Sequence, residues 1–100
     1  IEKAELQCDI DRNKSGIWDL KLNIKNVSNT VARISNIKAM FGILWELEGR
    51  ETNGGGELYL SAGEVQTINV RVAQFLRNGI KKTMQIYYNN QKPLLIDIQD

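Results

Sequence analysis

Apolar and polar side chains alternate with a period of two along most of this chain, and this rhythm restricts the fold more than any other feature. Leu20, Leu22 and Ile24 are separated by polar residues, and Ile68 and Val70 follow the same pattern later in the chain. Successive side chains of a β-strand point to opposite faces, so each run predicts a strand with one apolar and one polar face. The alternation therefore predicts an all-β protein.

Clusters of Asn, Asp, Ser and Gly, which favour turns, separate seven or eight such runs. Short strands at this spacing, without a long helical segment, are typical of an antiparallel β-sandwich or a small barrel. We predict a sandwich of seven to eight strands, with turns at Ser61–Glu64 and Asn89–Pro93 and a polar loop at Gly49–Gly56. The predicted strands are Lys3–Ile10, Trp18–Lys25, Val31–Ile34 with a continuation through Ala39, Met40–Leu47, Leu58–Leu60, Thr67–Val72, Met84–Tyr88 and Leu94–Ile98.

The run Met40–Leu47 fits two kinds of secondary structure. Phe41, Ile43 and Trp45 alternate with their neighbours as in a strand, but apolar residues in the same run also have the spacing of a short helix. We favour the strand, because a helix of about eight residues is marginal in water.

The sequence lacks the residues that most catalytic and metal sites need. It contains no histidine, which excludes Ser-His-Asp and Cys-His catalysis and most zinc and copper sites. Asp9, Asp11 and Asn13 have the opening spacing of a calcium loop, but Lys14 stands where that loop needs glycine. We therefore expect no catalytic residue, no metal and no cofactor.

Length and cysteine content indicate one domain held together by its apolar core. The 100 residues are enough for a single core, so we predict one domain over residues 1–100. Cys8 is the only cysteine and cannot form an internal disulfide. It lies on the apolar face of its strand, which predicts a buried, unreactive thiol.

Two segments resemble prokaryotic immunoglobulin-like domains. Leu22–Thr30 (LNIKNVSNT) is similar to the end of strand B in those domains, and Leu60–Val70 (LSAGEVQTINV) is similar to the segment leading into strand E. Asn78-Gly79 and the strand after it resemble the step into strand F. The resemblance implies an immunoglobulin-like sandwich and a non-catalytic role in protein interaction outside the cytoplasm.

Domains of this type include the soluble heads of archaeal surface filaments and archaellum stator subunits. The resemblance therefore implies the soluble part of a membrane-anchored archaeal filament or stator component. We expect a cell-surface location, with the membrane tether in a segment outside this chain, and a partner that is another protein or a second copy pairing through edge strands.

Five side chains are candidates for a partner contact because they lie in runs where apolar residues occupy both odd-numbered and even-numbered positions, which point to opposite faces of a strand. Such a run is either buried on both faces or shows one apolar face to a partner. The candidates are Phe41, Ile43, Trp45, Phe75 and Leu76.

Two asparagines match the acceptor pattern for N-glycosylation. Asn13 is followed by Lys14-Ser15, and Asn26 by Val27-Ser28. Both lie at predicted turns, where a glycan could be attached.

Two other functions remain open. The first is a nucleic-acid-binding small barrel, and the net charge of +1 argues against it. The second is an accessory β-sandwich of a larger secreted enzyme. In the first of these alternatives, the nucleic-acid groove would be formed by Arg71, Arg77, Lys81, Lys82, Tyr87 and Tyr88.

Overall fold

The computed structural model of the chain describes residues 3–11, 19–38, 44–47, 50–52, 56–71 and 82–98. All regular secondary structure in these ranges is β-strand, which confirms the predicted all-β class. The described residues include no helix with the length and hydropathy needed to cross a membrane.

Within the described residues, nine strands form two antiparallel sheets. The strands are β1 (Leu6–Ile10), β2 (Asp19–Asn26), β3 (Ala32–Lys38), β4 (Leu44–Leu47), β5 (Arg50–Thr52), β6 (Leu58–Leu60), β7 (Val65–Arg71), β8 (Lys82–Tyr88) and β9 (Leu94–Ile98). One sheet has five strands in the order β1-β2-β7-β4-β5, and the other has four in the order β6-β3-β8-β9. The antiparallel β-sandwich predicted from the alternation is confirmed.

The strand order is compatible with an immunoglobulin-like fold. β2 lies between β1 and β7, with Leu22 opposite Ile68 in the β2–β7 register. The chain crosses to the second sheet between β2 and β3, returns for β4 and β5, crosses again for β6, returns for β7 and ends in the second sheet with β8 and β9. The two segments that resemble strand B and the approach to strand E thus contain neighbouring strands, β2 and β7.

The core consists of the inward-facing side chains of both sheets. Alternate residues of β2 and β8 are buried, as the two-residue period predicts, whereas Ile68, Asn69 and Val70 of β7 are buried in succession. The buried apolar residues are Ala4, Leu6, Leu20, Leu22, Ile24, Ala32, Ile34, Ile37, Trp45, Leu58, Leu60, Ile68, Val70, Met84, Ile86, Tyr88 and Ile96.

A bulge in β3 explains why its alternation is interrupted. The register between β3 and β8 shifts between Ile34 and Asn36. Because an extra residue reverses the parity of the strand, Ile34 and Ile37 are both buried although they are separated by two residues. The observed strand is continuous over Ala32–Lys38, where the sequence predicted a shorter strand with a continuation.

The segment after β3 differs from the prediction in one place. Leu44–Leu47 is a strand, as favoured over the helix, while residues 40–43 lie outside the described ranges. Arg50–Thr52 is also a strand, so the polar loop predicted for Gly49–Gly56 is wrong at these positions. Arg50–Thr52 contains no apolar residue, and its pairing with β4 rather than its own composition makes it a strand.

The turn predicted at Ser61–Glu64 is confirmed. The Glu64 N–H donates to the Ser61 carbonyl at 2.9 Å, and Gly63 has a φ of 79°. A positive φ at the third position is the signature of a type II turn, which favours glycine there. The Glu64 carboxylate also accepts a hydrogen bond from the Ser61 N–H at 2.8 Å, so the turn is closed by both backbone and side chain.

Candidate interaction surface

The predicted partner-contact residues have different outcomes. Trp45 is 0% exposed and belongs to the core, so its side chain is not on the surface. Its neighbours in β7 and β5 are Val70 and Thr52. Of the two interpretations that the sequence left open, Trp45 takes the core role. The other four candidates, Phe41, Ile43, Phe75 and Leu76, lie outside the described residues.

Asn26 is a buried link between the two sheets. Its side-chain Nδ2 donates to the Leu60 carbonyl of β6 at 2.9 Å and to the Thr30 carbonyl at 2.7 Å. Its Oδ1 accepts from the N–H and the hydroxyl of Ser28 at 3.0 Å and 2.6 Å. Since Asn26 belongs to β2 and Leu60 to the other sheet, this amide fastens one sheet to the other.

The same residue anchors the turn before β7 through its backbone. The Asn26 N–H donates to the Glu64 carbonyl at 3.0 Å, and the Gly63 N–H donates to the Asn26 carbonyl at 2.9 Å. Asn26 therefore joins β2, the β2–β3 turn and the β6–β7 turn.

This geometry corrects the glycosylation prediction at Asn26. The residue is 0% exposed, and both amide hydrogens are donated to carbonyls. A glycan would require that nitrogen at the surface, so the prediction is wrong for the folded domain. Asn13, the other predicted acceptor, falls in a part of the chain that the structure does not describe.

The described members of the set considered for a nucleic-acid groove do not share one surface. Arg71 lies on the five-stranded sheet, where its guanidinium bonds to the Glu46 carboxylate at 3.0 Å, whereas Lys82 begins β8 in the other sheet. Tyr88 is in the core at 8% exposure, and Tyr87 points away from it, to the outer face. The remaining members of the set, Arg77 and Lys81, lie outside the described ranges.

Cys8 faces the core and packs against it at the edge of the five-stranded sheet. Burial, with a smaller contribution from the Asp9 carboxylate, raises the pKa of its thiol to about 12. A thiolate is the reactive form of cysteine, so this environment makes the thiol unreactive at neutral pH.

We expect the Cys8 thiol of the folded chain to react with a disulfide reagent at pH 8 about a thousandfold more slowly than that of the unfolded chain, since the thiolate is rarer by that factor.

The raised pKa of Cys8 also makes the free energy of unfolding fall as pH rises above about 9, because the unfolded thiol ionises there while the folded thiol keeps its proton. Urea titrations from pH 8 to 11 should show a smaller decline for Cys8→Ala than for the wild type. An equal decline in both would contradict this assignment.

The outer face of the five-stranded sheet is strongly polar. In the described residues it carries charged and amide side chains, and none of them is aromatic. The outward side chains are Gln7, Asp9, Lys21, Asn23, Lys25, Glu46, Val65, Thr67 and Arg71, of which Val65 is apolar; Asn69 has the same parity but is buried. This composition is typical of a solvated surface, since charged residues other than Arg are depleted in protein interfaces.

The outer face of the four-stranded sheet has a different character. It presents two tyrosines, an arginine and a lysine on three adjacent strands, β6, β3 and β8. We call this surface the tyrosine face and define it as Arg33, Lys38, Glu57, Tyr59, Gln85 and Tyr87.

The first half of the tyrosine face is a hydrogen-bonded trio. Tyr59 lies opposite Arg33 in the β3–β6 register and is 57% exposed. Its hydroxyl donates to the Glu57 carboxylate at 2.9 Å, and the Arg33 guanidinium donates to the same carboxylate at 2.9 Å. These two bonds hold the pKa of Glu57 below its usual value, and the bond to Glu57 raises the pKa of Tyr59. The trio holds an aromatic ring and a guanidinium side by side at the surface.

The second half is centred on Tyr87. Its hydroxyl donates to Gln85 Oε1 at 2.6 Å, and the Lys38 Nζ lies 5.0 Å from the centre of its ring. A cation at this distance is attracted to the ring face. Both tyrosines are therefore fixed by neighbouring side chains before any partner arrives.

Sequence reasoning did not single out Tyr59, although the signal was present. Leu58 and Leu60 were assigned to the inward face of a short strand, which requires the residue between them to point outward. Its placement beside Arg33 depends on the pairing of β3 with β6 and could not be read from the local sequence.

The chain matches no protein-family model and no curated protein.

Proposed function

We propose that this chain is a non-catalytic protein-interaction domain that binds its partner through the tyrosine face. The observation that carries the proposal is the contrast between the two outer faces of the sandwich. One is a charged, solvated surface, and the other presents Tyr59, Tyr87 and Arg33 in fixed positions.

Tyrosine and arginine are enriched among the residues that contribute most to protein binding. Tyrosine offers a large apolar ring at a low entropic cost, and its hydroxyl can exchange an internal hydrogen bond for one to a partner. Because Glu57 and Gln85 already orient the two hydroxyls, less freedom is lost on binding than with unrestrained side chains.

The proposed setting is an extracytoplasmic assembly. This part rests on the resemblance of Leu22–Thr30 and Leu60–Val70 to prokaryotic immunoglobulin-like domains, which use such sandwiches at the cell surface. We propose a domain tethered to the membrane through a segment beyond these 100 residues, with an archaeal filament or archaellum stator as the specific case. Surface proteolysis of intact source cells tests it: a cytoplasmic protein would be protected, and a surface protein would be digested.

The binding face is tested by site-specific photocrosslinking. A photoreactive amino acid is placed at Tyr59 or Tyr87, and at Lys25 as the control, since Lys25 is exposed on the outer face of the other sheet. The proteins are mixed with an envelope fraction of the source cells and irradiated. We expect one discrete protein to be crosslinked from positions 59 and 87 and not from position 25.

Two outcomes would contradict the proposal. Equal labelling from position 25 would show that the tyrosine face is not selective. Crosslinks to nucleic acid, lost as salt is raised, would favour the rival function, because phosphate contacts are weakened by salt. A double variant, Tyr59→Ala with Tyr87→Ala, should keep the wild-type melting temperature within a few degrees and lose the crosslinked partner.

A further inference from the structure

The two lateral sides of the sandwich end in strands of different length. Among the described residues, β5 and β6 are the outermost strands on one side, and β6 has three residues. On the opposite side the outermost strands are β1 and β9, and each has five residues. Very short edge strands are one device by which proteins prevent edge-to-edge pairing, so the β6 edge is protected by its length and the β1 and β9 edges are not.

β1 and β9 lie on the same side of the molecule and run in the same direction. Ala4, just before β1, is joined to Gln91, just before β9, by two hydrogen bonds. The Ala4 N–H donates to Gln91 Oε1 at 3.1 Å, and Gln91 Nε2 donates to the Ala4 carbonyl at 3.0 Å. One side of the sandwich therefore presents two parallel strand edges, one from each sheet.

These edges carry few of the other common protective features: each strand contains one charged residue, Asp9 in β1 and Asp97 in β9. Neither Leu6–Ile10 nor Leu94–Ile98 contains a lysine, a proline or a glycine. Their registers with β2 and β8 run without a shift, so no bulge twists them away from a neighbour. The bulge found among the described residues lies between β3 and β8, away from both of these edges.

Apolar side chains accompany the two edges. Leu95 is 59% exposed, the largest value among the large hydrophobic residues that the structure describes. Cys8, Ile10 and Leu94 face the core but are only partly covered. A second protein surface on this side would remove all four from water.

We propose that this side is a homodimer interface in which β9 and β1 each pair antiparallel with their own copy. The two sheets would then continue from one subunit into the other about a twofold axis, as in an isologous interface. This inference rests on the proposed function and names a second copy as one partner; its site adjoins the tyrosine face, because Leu95 lies opposite Gln85 in the β8–β9 register.

The sequence of β9 selects the register of the proposed pair. In an antiparallel pair, directly opposite residues lie on the same face of the sheet. A twofold axis between two copies of the strand therefore lies midway between one residue and the same residue of the other copy. An axis at Asp97 would bring two like charges together. Axes at Leu94, Leu95 and Ile96 all avoid like charges, and the axis at Leu95 is favoured because it alone places the exposed Leu95 side chain opposite its own copy.

β1 is compatible with the same axis. Cys8 follows Ala4 in the chain by as many residues as Leu95 follows Gln91. Cys8 and Leu95 therefore lie at a similar distance along their strands from the hydrogen bonds between Ala4 and Gln91. An axis at this height places Gln7 opposite Asp9 and Leu6 opposite Ile10, again without like charges. Both edges thus permit one arrangement of the second copy.

Disulfide trapping tests this register directly. In a Cys8→Ala background, Leu95→Cys places two thiols opposite each other, with Cα atoms about 4.5–5.5 Å apart, which suits a disulfide. Asp97→Cys is the matched control on the same face of the same strand, where the two Cα atoms would be roughly 13 Å apart and unable to bond. We expect Leu95→Cys to form a covalent dimer on mild oxidation and Asp97→Cys to stay monomeric. Equal crosslinking at both positions, or none at Leu95→Cys, would overturn the proposal.

Mass measurement in solution provides the second test. The wild type should sediment at twice the 11.4 kDa of the chain as its concentration is raised. Leu95→Lys should be monomeric and should keep the wild-type melting temperature at concentrations low enough for both to be monomers, while Tyr59→Lys, on the β6 side, should still dimerise. A wild type that stays monomeric at millimolar concentration would overturn the dimer but leave the tyrosine face intact, because photocrosslinking from position 59 measures that face independently.

Discussion

Replacing Asn26 by Asp is expected to remove about 3–5 kcal/mol from the free energy of unfolding. The change replaces the NH₂ group by an oxygen that would face the carbonyls of Leu60 and Thr30, so two hydrogen bonds become repulsive contacts. It also buries a negative charge at a position with 0% exposure. A domain of this size has a total stability of about 5–15 kcal/mol, so the loss is a large share of it.

Asn29→Asp is the matched control, because Asn29 belongs to the same turn and is exposed. Its effect should stay within about 0.5 kcal/mol, as for most surface substitutions. Urea denaturation of both variants measures the difference. Equal stabilities for the two would mean that Asn26 does not link the sheets.

Trp45→Ala is expected to cost about 3–5 kcal/mol, the usual range for removing a fully buried aromatic side chain. The substitution leaves a cavity between the sheets beside β7, where Trp45 pairs with Val70. Thermal and urea unfolding of the purified variant measure the loss.

Tyr59→Ala serves as the comparison, since that ring is 57% exposed and its removal leaves no cavity. We expect it to change stability by about 0.5 kcal/mol or less. The two variants separate the roles of the two aromatic residues. If Trp45→Ala were as stable as Tyr59→Ala, Trp45 would be a surface residue available to a partner.

Features that depend on local sequence could be predicted. The alternation around Leu22 and around Ile68 places their strands and inward faces correctly, because the side-chain period of a strand is a local property. The turn at Ser61–Glu64 is equally local, since glycine adopts the positive φ that a type II turn needs.

Features that depend on pairing between distant strands could not be predicted. Arg50–Thr52 is a strand only because β4 lies beside it, and the bulge in β3 appears only against β8. For the same reason the tyrosine face is visible only once β3 is known to lie between β6 and β8.

Asn26 is an intermediate case. Its position matches the inward parity of Leu20, Leu22 and Ile24, which implies burial, and a buried amide needs hydrogen-bond partners. The glycosylation pattern drew attention to the residue for a different reason. Parity was the more informative signal, although the identity of its partner, the Leu60 carbonyl, depends on how the sheets pack.

The placement of β3 between β6 and β8 is tested most directly by nuclear Overhauser contacts between backbone protons. The tyrosine face exists only if this order is right, since Tyr59 and Tyr87 reach one surface through β3. We predict cross-strand contacts from Arg33 to Tyr59 and from Asn36 to Tyr87. Contacts that instead join β6 to β8, or β3 to a strand of the five-stranded sheet, would contradict the account.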